Sequence, residues 1–199
     1  MLSMLKRKIR YVLDVVGVDD MRYYAGLRRE WCRARTLPEL SERGARWARG
    51  ELGAHPSGYD VPDHETTSLL PYLARANEAG FFTDQSQPGG RWWINDTLVE
   101  QRAFVSGYLA RTELLEFRRH LEGAGMLVLD SLVHHEPLTK EDGVVVTGGR
   151  WTTETMLQHV SSAAVRDLDQ AATLDVIDTT WGREMALWQA LDRWSASRG

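Results

Sequence analysis

One cysteine, Cys32, serves all 199 residues. An intramolecular disulfide is excluded, and so is a thiolate-based zinc site. Such thiol usage fits a reducing compartment. No apolar run is long enough to span a bilayer. Excess charge is also scarce: 24 Lys and Arg stand against 28 Asp and Glu, a formal net charge of −4. That balance is too mild to imply nucleic-acid binding by the chain as a whole. The opening stretch MLSMLKRKIRYVLDVVGV is basic and then apolar, but Arg10 and Asp14 interrupt it and no small-residue cleavage site follows. It makes a poor signal peptide, so a cytoplasmic protein is expected.

Familiar catalytic patterns are missing too. Ser131 has no Gly-rich elbow around it, so Asp130, Ser131 and His134 form no convincing nucleophile set. Thr147-Gly148-Gly149-Arg150 lacks the Lys-Ser/Thr ending of a phosphate-binding loop and reads as a hairpin turn. His134 and His135 are adjacent, and on an extended chain they point to opposite sides, a poor chelate even with Glu136 beside them. Asp175 and Asp178 flank a strand end at a spacing that suits a hydrated magnesium ion, but a turn cap is the favoured reading for Asp178. No metal site and no cofactor is assigned. His55, His64, His120 and His159 are scattered, with no partner evident.

Tryptophan is abundant: there are eight, from Trp31 to Trp194. Such rings anchor cores or half-wet clefts. Residues 1–30 read as an appended basic amphipathic helical extension, with Leu2, Leu5, Ile9, Val12, Leu13 and Val16 at helical spacing among Lys6, Arg7, Lys8 and Arg10. Two roles stay open for it: packing on its own domain or a second copy, or contact with an acidic partner such as a membrane surface or nucleic acid. Residues 31–199 read as one mixed α/β domain.

Within that domain, 31–53 is expected to be helical, with Thr36 as N-cap, Pro38 in the first turn and Glu39 three residues after the cap. A loop follows at 53–63. Asp63 or Thr66 caps the next helix, where Pro71 is either a kink or the true first turn of a shorter helix. Gly80 ends it. Residues 81–83 suggest a buried strand with 92–94 as partner, and 98–109 suggests a helix. Helices are expected over 113–122, from Ser161 or Ser162 through 172, and over 184–194. Strands are expected at 126–133, 144–147 and 174–177. The alternation predicts an α/β or α+β fold, a mixed sheet with helices packed on it, preceded by a helical N-terminal region.

The stretch at the centre carries a motif. Asn77, Gly80, Phe81, Thr83, Ser86, Gln87, Pro88 and Gly89 spell NxxGFxTxxSQPG. Trp31, Arg33, Ala34, Thr36, Leu37, Trp47, Pro62, Glu65 and Thr66 precede it; Gln101, Arg102, Ala103, Val105 and Gly107 follow. The pattern resembles an uncharacterised actinobacterial family known from Streptomyces and related genomes, and is more loosely similar to proteins of large DNA viruses. The resemblance runs from residue 31 to the C-terminus and includes the closing DVIDTTWGREMALWQAL. It implies no activity. The chain departs from the family in its basic N-terminal extension and in GRWWINDTL at 90–98, which replaces a more acidic stretch.

The same residues suggest a ligand site. Thr83, Ser86 and Gln87 offer short neutral donors and acceptors. Pro88-Gly89-Gly90 lets backbone bend close to a guest. Glu65 and Thr66 open the preceding helix, and Gln101 and Arg102 lie early in the expected following one. If these elements fold together, Glu65, Thr66, Thr83, Ser86, Gln87, Gln101 and Arg102 converge, with Trp92 or Trp93 as a stacking wall. Such a set suits a small polar ligand, a nucleotide or amide-bearing molecule. The rival reading is ordinary turn chemistry plus a Glu65–Arg102 salt bridge. The rival function is an interaction protein of a phage or mobile element, docking on a protein or nucleic-acid partner through its tryptophans and residues 1–30.

Overall fold

The computed structural model describes residues 26, 29–56, 62–130 and 159–198. The extension at 1–30 therefore lies almost wholly outside the described residues. So do the expected strand at 144–147, the His134–Glu136 cluster and the 147–150 turn.

The first long helix, α1 (Leu37–Ala48), starts as its sequence dictates. The Thr36 hydroxyl accepts from the Glu39 N–H at 3.4 Å, and the Glu39 carboxylate accepts from the Arg35 N–H at 2.8 Å. Both bonds satisfy donors that a helix start leaves open. A 3-10 turn (His64–Leu69) then leads into α2 (Leu70–Glu78), with Pro71 in the first turn. Pro71 thus marks the start of a shorter helix and kinks nothing. Neither Asp63 nor Thr66 caps by its side chain.

Gly80 closes α2 at φ 95°, donating to the Asn77 carbonyl at 2.9 Å, while the Phe81 N–H reaches the Ala76 carbonyl at 3.0 Å. This left-handed position suits glycine and turns the chain straight into a strand.

The main sheet has the order β1-β4-β6-β5, every neighbour antiparallel: β1 (Phe82–Gln87), β4 (Phe104–Leu109), β6 (Ala172–Asp178) and β5 (Met126–Asp130). Between β1 and β4 the chain leaves the sheet as a ribbon, β2 (Gly90–Ile94) and β3 (Thr97–Gln101), which among the described residues pair only with each other. Asn95 and Asp96 turn the ribbon with φ of 45° and 62°, the two positive values of a type I′ hairpin.

Here two expectations are corrected. Residues 98–109 are not a helix: they are β3 and β4. The 81–83 strand pairs with β4, and 92–94 pairs with β3. The error over β4 has a physical source. All six of its residues are buried, because the sheet is covered on both sides at this strand. A strand buried on both faces shows no alternation that would tell it from a buried helix.

The remaining helices are α3 (Leu114–Gly123), α4 (Ser162–Leu168) and α5 (Ala186–Ala196). At the start of α3 Glu113 holds the N-cap position without a side-chain bond. Ser161 does cap α4, accepting from the Ala164 N–H at 3.0 Å and donating to the Ala34 carbonyl at 2.6 Å. That helix ends at Leu168, and Ala172 already belongs to β6.

The larger core lies on one sheet face, where Val105, Leu109, Leu174 and Val176 meet Phe81, Phe117, Trp188 and Trp194. Phe117 and Trp194 pack edge to face, 4.8 Å between centroids. A second cluster joins Phe82 and Tyr108 of the opposite face to Trp31, Leu37, Leu40 and Leu168. His55 sits in that cluster, against Trp31, Trp47 and Phe82. Its partner set is therefore aromatic. Burial drives its pKa down to about 3, against a hydrogen bond to the Thr83 backbone that acts the other way.

Candidate functional site

The motif residues divide into two groups that do different work. Asn77 and Thr83 belong to the scaffold. The Asn77 amide donates to the Leu73 carbonyl and to the Thr83 hydroxyl, both at 2.7 Å, and its carbonyl accepts from the Thr83 N–H at 3.2 Å. The pair ties the end of α2 to the start of β1, and both side chains are buried. Thr83 thus has its polar groups occupied within the fold.

Ser86 and Gln87 do not share one turn face. They are consecutive in β1, opposite Val105 and Phe104, so their side chains leave opposite sides of the sheet. Gln87 and Gln101 form a reciprocal latch at the base of the ribbon. The Gln87 amide donates to the Arg102 carbonyl at 3.1 Å, and the Gln101 amide donates to the Pro88 carbonyl at 2.6 Å. Trp93 is far from this latch in character: it stands 70% exposed on the ribbon. Glu65 is exposed on the 3-10 turn and Thr66 is buried there. Among the described residues Glu65 makes no ion pair with Arg102. The expected convergence therefore reduces to Gln87, Gln101 and Arg102.

What gathers around Arg102 comes from the other end of the chain. The turn after β6 lies along the ribbon base. The Asp178 N–H donates to the Ala103 carbonyl at 2.9 Å, and the Gly182 N–H to the Gln101 carbonyl at 3.1 Å. Gly89 lies so close to the Arg183 carbonyl that a methyl group there would collide with it. The Pro88-Gly89 bend thus seats a backbone, the role that close approach demands of glycine.

This contact builds a charged nest. Asp178 is fully buried and its carboxylate accepts both Arg183 Nε and Nη2 at 2.6 Å. It also accepts the Thr180 N–H at 2.8 Å, so Asp178 caps its turn. The Asp178 bond holds the Arg183 guanidinium charged, raising its pKa above the usual value. Asp178 and Asp175 form no cation site: Asp175 accepts from the Ser106 hydroxyl at 2.5 Å, and among the described residues no acidic, histidine or cysteine cluster could hold a metal.

Arg102 itself is only 8% exposed. Its guanidinium lies over the Trp181 ring, 4.3 Å from the centroid. Desolvation lowers its pKa, and the charge of Asp178 opposes that shift. Its Nε and Nη1 atoms are sealed from solvent and have no hydrogen-bond partner among the described residues. Sequence reasoning found Arg102 but missed Trp181 and Arg183. Their signal was the DTTWGRE turn, which read as part of a closing strand, turn and helix rather than of a site.

Hollows of about 370 and 270 Å³ lie elsewhere, along the α1–α2 face. The Ser41 hydroxyl borders the smaller one and is unpartnered. The Arg49–Glu78 ion pair borders both.

The fold and the nest define a small α/β domain whose ribbon and C-terminal turn enclose a buried cation. A family model matches residues 26–197, and the chain belongs to that family, the domain of unknown function DUF6919. A comparison with curated proteins finds no match. Among the described residues no helix is long and apolar enough to cross a membrane.

Proposed function

We propose that this domain binds a small polar, nucleotide-like ligand at the base of the ribbon, where the SQPG bend meets the 178–183 turn. One observation carries the reading: the two unpartnered nitrogens of buried Arg102. Buried donors are rarely left open in folded proteins, and an open pair on a charged side chain calls for a water or an ion to fill it. Its place is the cytoplasm, which the single cysteine suits.

Thermal unfolding with a panel of nucleotides, amino acids and neutral polar compounds tests it. A ligand that selects the folded state should raise the melting temperature by several degrees, on the order expected for concentrations well above Kd. Arg102→Met removes the charge at similar volume and should abolish the shift. A panel without any stabiliser, or a shift that survives Arg102→Met, defeats the reading.

A second reading is favoured by the ribbon. Trp92, Trp93, Ile94 and Leu98 are 40%, 70%, 51% and 39% exposed, a concentration of apolar surface suited to a protein or nucleic-acid partner. Trp93→Ser should then weaken partner capture and leave ligand-induced stabilisation unchanged.

A further inference from the structure

We infer that the group recognised by Arg102 is an oxyanion, a phosphate or carboxylate carried by a small molecule. The inference rests on the binding reading above and names the chemistry of its ligand.

Three guanidinium groups gather near residues 181–183: Arg91, Arg102 and Arg183. Arg91 is paired with Glu100, Nε to Oε1 at 2.8 Å, and both side chains reach Gly182. Arg183 is paired with Asp178 through two bonds. Two carboxylates therefore face three cations: each is hydrogen-bonded to another arginine, and Asp178 reaches Arg102 only through its charge. Arg102 is left over, and it is the most buried of the three: Arg91 and Arg183 have side chains 59% and 39% exposed.

An arginine cannot shed its charge at ordinary pH. The Trp181 face attracts the guanidinium but offers no acceptor to its N–H edge. A water molecule would satisfy a donor and leave the charge uncompensated. An oxyanion does both, and the planar guanidinium is the side chain best matched to phosphate and carboxylate. Gln87 and Gln101 do not compete, because their amides are turned to backbone carbonyls. Trp181, half-buried, covers the guanidinium on one face.

The experiment is calorimetric titration of the full chain with inorganic phosphate, adenosine monophosphate and succinate, at constant ionic strength set with chloride. At least one should bind saturably, and the three arms separate phosphate from carboxylate. Arg102→Met should weaken that binding tenfold or more. Arg102→Lys keeps the charge and loses the fork, so it should weaken binding less. Arg119→Met removes an exposed guanidinium on α3, away from the ribbon, and should leave affinity unchanged. No saturable binding by any anion, while a neutral polar compound still stabilises the protein, overturns this inference and leaves the binding reading standing. Equal binding by wild type and Arg102→Met overturns it as well. No ligand of either kind sinks both.

Discussion

At the scale of the residue, His55 shows how burial overrides intrinsic chemistry. Its ring packs 4.9 Å from Trp47 and 5.5 Å from Trp31, centroid to centroid, where a proton is poorly solvated. The folded protein holds it neutral down to about pH 3, whereas the unfolded chain protonates it near 6.5. Between those values the unfolded state binds one more proton, so stability falls as pH falls, by up to about 1.4 kcal/mol per pH unit. Urea unfolding of wild type and His55→Gln between pH 7 and 5 checks this: the difference in stability between them should narrow with acid. A pH-independent difference would mean that burial does not shift the imidazole, which then gains its proton in the fold as it does in the unfolded chain. The Asn77–Thr83 exchange is the other lesson at this scale. It uses Thr83, which was expected to contact a ligand, together with Asn77 to join a helix to a strand, and such buried bonds are costly to leave half made.

At the scale of the element, the ribbon is the exception to an otherwise covered fold. It is held by its own register, by the Arg91–Glu100 pair and by the Gln87–Gln101 latch at its root. Its turn is built from Asn95 and Asp96, both at positive φ, where glycine is preferred at the second position. Asp96→Gly should therefore tighten the ribbon, slowing amide hydrogen exchange in β3 by roughly twofold or more. Faster exchange would show that the Asp96 side chain supports the turn. The neighbouring β4 carries the contrast. Phe104, Val105, Tyr108 and Leu109 are buried by tertiary partners on both faces, and their spacing alone mimicked an amphipathic helix.

At the scale of the whole molecule, two stretches far apart in sequence close on each other. Gly89 from the SQPG bend meets the backbone of Arg183, Gln101 meets Gly182, and Arg102 meets Trp181. Gly89→Ala should force this seam apart. A stability loss of roughly 1–3 kcal/mol is expected from overpacking against a backbone that cannot swing aside. Any ligand-induced stabilisation should fall with it, because Arg102 and Trp181 are aligned by the same contact. A Gly89→Ala protein with wild-type denaturation midpoint and ligand response would show that the seam is not what aligns the nest.

Much of this protein was legible locally. Thr36 with Glu39, Pro71, Gly80 and Ser161 each set an end of a helix, because caps and turns depend on neighbours within a few residues. The α/β class followed from the alternation of such segments. Strand pairing, the alternating faces of Ser86 and Gln87, and the company of Arg102 did not, since each depends on chain that lies far off in sequence. Local hydrogen bonds can be read from adjacent residues. A buried charge and what compensates it become definite only when the ribbon and the last turn are brought together in space.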